Sequence, residues 1–217
     1  MTSIVPTILV PDVRSFEQFI DVYKNFAKRL QLDICDGQFT PATTISLDVI
    51  TLPSDWQGIW DFHLMVSRPS RYIPTILKLK PSLVIFHAES DENLLPVFEQ
   101  LAANNIKTGV AFKKETFPGN YRSYLEAADH ALIFAGELGR QGSEADLLQL
   151  EKINLIKEID ANIEIGWDGG ANLSNARALA KAGIDVINVG NAISGADNPE
   201  QAFHDLEAET EKPGVRI

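Results

Sequence analysis

Apolar residues fall into two alternating rhythms along the chain. Short, nearly continuous apolar runs at 4–10, 30–35, 59–65, 83–87, 107–112, 130–135, 163–167 and 186–189 read as strands buried on both faces. Between and after them, longer stretches at 15–27, 70–79, 93–104, 121–128, 144–159, 172–182 and 199–209 have helical spacing. Strands taking turns with helices predict right-handed βαβ units on a parallel sheet. Eight such units suit one closed (β/α)8 barrel spanning residues 1–217, although an open doubly wound sheet gives a similar alternation. The weakest unit is the second, where 47–52 is short and runs into Pro53. Asp91 and Asn172 or Ser174 stand where helices should start, and Gly183 where one should stop. The charged stretch 207–217, which contains a proline, reads as a C-terminal tail.

The strand pattern breaks where polar residues enter it. In 30–35, Gln31, Asp33 and Cys35 share one face while Leu32 and Ile34 take the other. A carboxylate in the middle of a strand is costly to bury without a partner. Thr7, His63, His87 and Asp168 stand late in the other strands or just beyond them, so a barrel would gather two carboxylates and two imidazoles at one mouth. That set suits a metal site or an acid/base pair. Taken singly, each has a bland explanation as a satisfied strand histidine or a turn aspartate. Glycines add a second device. Asp168-Gly169-Gly170 and Gly190-Asn191 lie in the last two strand–helix loops, where backbone N–H groups can cradle a phosphate. Gly139-Arg140-Gln141-Gly142 could close over that cradle, with tight turns as the plain alternative.

Composition narrows the function classes. With 45% apolar and 23% charged residues, the chain has the balance of a globular domain. No apolar run approaches the roughly 20 residues that span a bilayer, and the N-terminal residues lack the pattern of a signal peptide. A net charge of −11 argues against nucleic acid or an anionic membrane as partner. Cys35 is the sole cysteine, which excludes an internal disulfide and fits a reducing, cytoplasmic setting. Trp56 and Trp60 are candidates for an exposed subunit contact in a homo-oligomer.

Several motifs, in order, resemble those of the ribulose-phosphate 3-epimerase family. Pro6-Thr7-Ile8-Leu9 resembles that family's opening Pro-Ser-Ile-Leu, and the stretch from Asp33 to Pro41 resembles its Asp-Val-Met-Asp-Gly-His-Phe-Val-Pro. His63-Leu64-Met65-Val66, His87-Ala88-Glu89, Asp168-Gly169-Gly170 and Gly190-Asn191-Ala192-Ile193 are similar to its remaining signatures. The resemblance implies a TIM barrel of the ribulose-phosphate-binding type that inverts C3 of a ketose phosphate, D-ribulose 5-phosphate to D-xylulose 5-phosphate. It implies Asp33 and Asp168 as the catalytic pair, and a divalent metal (Zn, Mn or Fe) on Asp33, His63 and Asp168 that stabilises an enediolate. Thr7, Met65, Gly139, Arg140, Gly142, Gly169, Gly170, Gly190 and Asn191 would contact the substrate.

The chain departs from the family at Gln31, where the family has a metal histidine. An amide oxygen is a poor ligand for zinc, so the metal's identity, and whether one binds, stay open. Cys35 and Phe134 replace methionines, and the family's phosphate loop is replaced by 136–142, where Arg140 could contact phosphate. Two further readings follow: an epimerase of another ketose phosphate, such as a hexulose 6-phosphate, and a non-catalytic phosphosugar-binding homologue without metal. A decarboxylase or aldolase on the same barrel would want a lysine at the mouth, for which Lys113 and Lys114 are the candidates.

Overall fold

The computed structural model describes residues 2–212. Eight parallel strands close in chain order: β1 (Ser3–Ile8), β2 (Arg29–Cys35), β3 (Ile59–Met65), β4 (Leu83–His87), β5 (Lys107–Phe112), β6 (His130–Phe134), β7 (Glu164–Asp168) and β8 (Val186–Val189), with β8 pairing back onto β1. The open-sheet alternative is excluded by that last pairing. Helices α1 (Val13–Tyr23), α2 (Ile73–Leu79), α3 (Leu95–Ala102), α4 (Arg122–Ala127), α5 (Lys152–Lys157), α6 (Ala176–Ala182), α7 (Asn191–Ser194) and α8 (Pro199–Glu211) surround the barrel.

The main core lies between strands and helices, where outward-facing residues such as Leu32, Phe62, Phe86 and Ile165 meet Phe16, Leu101 and Leu179. A smaller apolar layer of Leu83, Ile85, Ala111 and Leu132 fills the barrel interior. At the strands' N-terminal ends the interior turns ionic. Arg29 Nε bonds Asp61 Oδ2 at 2.6 Å, its two terminal nitrogens fork onto the Glu164 carboxylate at 3.1 and 3.0 Å, and His130 Nδ1 lies 2.8 Å from Glu164. Buried charges persist where they are paired in this way.

The local departures from the sequence pattern have physical causes. After β2 the chain makes only a 3-10 turn, Leu47–Val49, capped by the Ser46 hydroxyl, before Pro53 forbids further helix. The preceding segment is a loop at the mouth, held by Asp36, which accepts from the N–H groups of Gln38, Phe39 and Ser67. The 144–159 stretch splits into a 3-10 segment, Leu147–Glu151, and the short α5. Helix α6 starts at Ala176 because Asn172 uses its side chain to cap the turn at Ser174 instead. Gly183 stops that helix in the left-handed region, φ 99°.

Two expectations need correction. Residues 207–211, read as tail, belong to α8; 213–217 lie outside the described residues. Trp60 is not exposed but 6% accessible, and Trp56 packs edge-on against it at 5.2 Å while donating its ring N–H to Ala27 O. Trp60 packs under α1 against Phe16, while Trp56 stays partly exposed. Among the described residues, no helix is long and apolar enough to cross a membrane.

Candidate active site

Parallel register brings the polar strand residues to one level. Thr7 pairs with Gln31, Asp33 with His63, and Asp168 with both Phe134 and Asn188. Side chains at these positions face inward at the C-terminal mouth, because the residues before and after them face the outer core. Above them opens a cavity of about 320 Å³. Of the residues expected from the sequence, Thr7, Asp33, His63, Met65, Gly139, Arg140, Gly142, Asp168, Gly169, Gly170, Gly190 and Asn191 all line it. Gln31, fully buried, is not among the lining residues.

Gln31 organises the two carboxylates. Its Nε2 donates to Asp33 Oδ1 at 2.9 Å and to Asp168 Oδ2 at 2.6 Å. His63 Nδ1 lies 3.0 Å from Asp33 Oδ1 and 3.6 Å from Asp168 Oδ2. Burial, and then the neighbouring Asp33 charge, raise the Asp168 carboxyl to about 7, against the opposing pull of His63 and the Gln31 bond. One member of the pair is thereby poised to exchange a proton near neutrality.

A chain of hydrogen bonds behind His63 sets which of its nitrogens carries the proton. Burial would raise Glu89, but bonds from His87, Thr116 Oγ1 and the Lys113 N–H hold it down to about 2. Burial lowers His87 to about 4, so its ring is neutral at pH 7. A neutral His87 gives its Nδ1 proton to Glu89, 3.3 Å away, and accepts at Nε2 from His63 Nε2, 2.9 Å away. His63 thereby presents Nδ1 to Asp33 and Asp168. Phe134 packs against both imidazoles, with ring centres 5.9 and 5.7 Å away, and holds their orientation.

Two carboxylates and one imidazole nitrogen converge, with their ligand atoms within 4.8 Å of one another. Gln31 Oε1 is buried without a partner, while its Nε2 is the atom that faces the two carboxylates. These residues fit a divalent cation bound mainly through oxygen, the preference of manganese or magnesium more than of zinc.

The cavity's roof comes from the loops after β6 and β7. Gly169 has φ 110°, and a Cβ there would lie 2.1 Å from Gly136 N; at Gly170, φ 69°, it would lie 2.1 Å from Ala145 N. Only glycine allows these two loops to stack backbone on backbone. Thr40 Oγ1 ties the roof to the β2 loop through Leu138 O at 3.1 Å. Arg140 reaches the cavity's rim, with Nη1 bonded to Glu137 on the loop's exposed surface.

The remaining candidates fall elsewhere. Cys35 packs against Met65, sulfur to sulfur at 3.9 Å, and does not line this cavity. Burial and the charges of Asp33 and Asp36 push its thiol up to about 12, so it is inert. No lysine lines the cavity: Lys113 stacks over Phe39, and the buried Lys152 donates to the carbonyls of Lys113 and Lys114. The lysine-based reading loses its main requirement. Asn188, which lines the cavity, escaped the sequence reading. The available signal was a polar residue inside the apolar run 186–189, on the same face as Gly190.

Comparison with known proteins agrees with this architecture. The model of the ribulose-phosphate 3-epimerase family matches residues 3–194. The chain belongs to the ribulose-phosphate 3-epimerase family. The Mycobacterium tuberculosis protein named ribulose-phosphate 3-epimerase is 32% identical over 206 residues, covering 92% of this chain and 89% of the relative. The Schizosaccharomyces pombe protein of that name is 28% identical over 208 residues, with 94% and 91% covered. A rice relative, 28% identical over 96% of this chain and 94% of its own length, is named as a cytoplasmic isoform. Among solved structures, the Salmonella typhimurium 3-hexulose-6-phosphate synthase superposes with TM-score 0.72 at 13% identity, covering 96% of this chain and 98% of that one. That likeness is one of fold. The chain is thus a member of a family of carbohydrate-phosphate epimerases.

Proposed function

We propose that this protein inverts the configuration at C3 of a ketose phosphate, converting D-ribulose 5-phosphate to D-xylulose 5-phosphate, with Asp33 and Asp168 as the proton-transfer pair. The observation that carries this reading is the pairing of two carboxylates at the cavity floor through one amide, Gln31 Nε2. Removing a proton from one face of a planar intermediate and returning one to the other needs two groups of this kind. One carboxylate takes the C3 proton as base. The other, holding its own proton, delivers it to the opposite face, and the roles exchange in the reverse direction. Asp168, with a carboxyl raised to about 7, is suited to either role at neutral pH.

Asp33, His63 Nδ1 and Asp168 would hold a divalent cation, supplying positive charge to the enediolate oxygens. Gln31 Nε2 offsets part of the repulsion between the two carboxylates. Phe134 and Met65 line the cavity with apolar surface that keeps bulk water from the carbanionic carbon. Backbone N–H groups at Gly169, Gly170, Gly190 and Asn191 are the phosphate cradle, with Thr7 beside them. The protein works in the cytoplasm, and we expect it to be a homo-oligomer.

The test is loss of the C3 proton of D-ribulose 5-phosphate in D2O, followed by NMR, on metal-stripped protein and on protein supplied with manganese, iron or zinc. Exchange accompanied by xylulose 5-phosphate supports the proposal. Folded protein that exchanges nothing with any metal rejects this substrate, leaving another ketose phosphate such as a hexulose 6-phosphate. The bridging Gln31 amide favours one second reading, a phosphosugar-binding protein without metal, because its N–H group already offsets both carboxylates. Sugar-phosphate binding without exchange, on either substrate, is its signature.

A further inference from the structure

One group in the cavity has no task in the chemistry above. Asn188 is 2% exposed and lines the cavity, and neither its Nδ2 nor its Oδ1 has a hydrogen-bond partner. Its neighbours in β8, Ile187 and Val189, are fully buried in the outer core, so nothing local calls for an amide here. An amide with both ends unpaired inside a barrel is a liability unless something arriving in the cavity satisfies it.

Its position limits what that is. Asn188 pairs in register with Asp168 on β7, at the level of the proton-transfer pair. Two residues further along the same face is Gly190, at the phosphate cradle. The side chain therefore serves the part of a substrate between the reacting carbon and the phosphoryl ester. A hydroxyl both donates and accepts, and so does an amide. We propose that Asn188 is a specificity-determining residue that reads the hydroxyl on the carbon between the reacting centre and the phosphoryl ester, the C4 hydroxyl of a pentulose 5-phosphate. This assignment rests on the ketose-phosphate reading of the same cavity. A substrate with a methylene at that carbon leaves both amide atoms dry and is rejected.

The experiment uses polyol phosphates, which lack the ketone and cannot react. Calorimetry compares D-ribitol 5-phosphate with its 4-deoxy counterpart on wild-type protein and on Asn188→Leu, a substitution close in size and shape. Wild type should favour the hydroxylated ligand by about tenfold or more, a preference that falls to about one in N188L. Asn188→Val, small and strand-favouring, carries the same comparison should the leucine variant not fold. A wild-type preference near one overturns the assignment. So does a preference that survives in the folded variant. In both cases measurable binding of the hydroxylated ligand leaves the ketose-phosphate reading standing. Wild-type protein that binds neither polyol phosphate overturns that reading and the role of Asn188 with it.

Discussion

An amide between two carboxylates is an unusual ally for the proposed proton-transfer pair, because it donates without carrying charge. Gln31 relieves part of the repulsion between Asp33 and Asp168 and leaves the rest to be met by a proton or a cation. Substituting Gln31→His should raise zinc affinity about tenfold or more, since an imidazole is the better donor for that ion; unchanged affinity by competition titration would place Gln31 outside any metal site. Replacing Asp168 by Asn should lower kcat by roughly 10²–10⁴ with KM little changed, as expected when a proton-transfer group is lost. The same variant has a readable effect on stability. The Asp168 carboxyl is raised to about 7 in the fold, so its contribution to stability is complete below the ordinary carboxylate range and is lost as pH rises through 7. In metal-stripped protein, D168N should therefore melt above wild type at pH 8, with the gap closing toward pH 4.

At the scale of elements, the loop after β4 sets the state of a side chain on β3. Glu89 anchors His87, His87 orients His63, and the loop after β5 fixes Glu89 through Thr116 and the Lys113 N–H. Glu89→Gln removes the charge that holds the His87 tautomer and leaves one acceptor oxygen where two are used. Metal affinity, measured on the apoprotein, should fall by about 10–100-fold while the melting temperature shifts little. The chain announced much of this arrangement. Asp33, His63 and Asp168 stood out because a polar group in a buried strand is expensive, and strand ends in a barrel converge. His87 stood out for the same reason, but its contact with Glu89 depends on the turn that follows β4. Asn188 was hidden by its apolar neighbours, and its significance lies in having no partner, which only packing reveals. The break of 144–159 into two segments was illegible because its apolar spacing continues across the join. Helix α8 overran its expected end because residues 207–211 are good helix formers whose charges face water.

Taken whole, the molecule carries two polar assemblies inside one barrel. The lower one joins Arg29, Asp61, His130 and Glu164. Burial would raise the Glu164 carboxyl, but His130 and Arg29 hold it well below the usual carboxylate range. A depressed carboxyl adds stability that is present above its unfolded value and is lost as pH falls through the folded one. Wild-type protein should thus lose melting temperature steeply below about pH 4, and Glu164→Gln should flatten that descent in an acid titration followed by circular dichroism. Leu132, fully buried between the two assemblies, should cost about 2–5 kcal/mol when cut to Ala, read from urea unfolding.

The thin layer of Leu83, Ile85, Ala111 and Leu132 has a consequence for how the protein can change over time. It holds the two hydrogen-bonded assemblies apart, so donors and acceptors can be exchanged at the floor of the barrel to suit heat or acidity without breaking a bond at the mouth. Conversely, the mouth can be rewritten for a new sugar while the floor keeps the barrel closed.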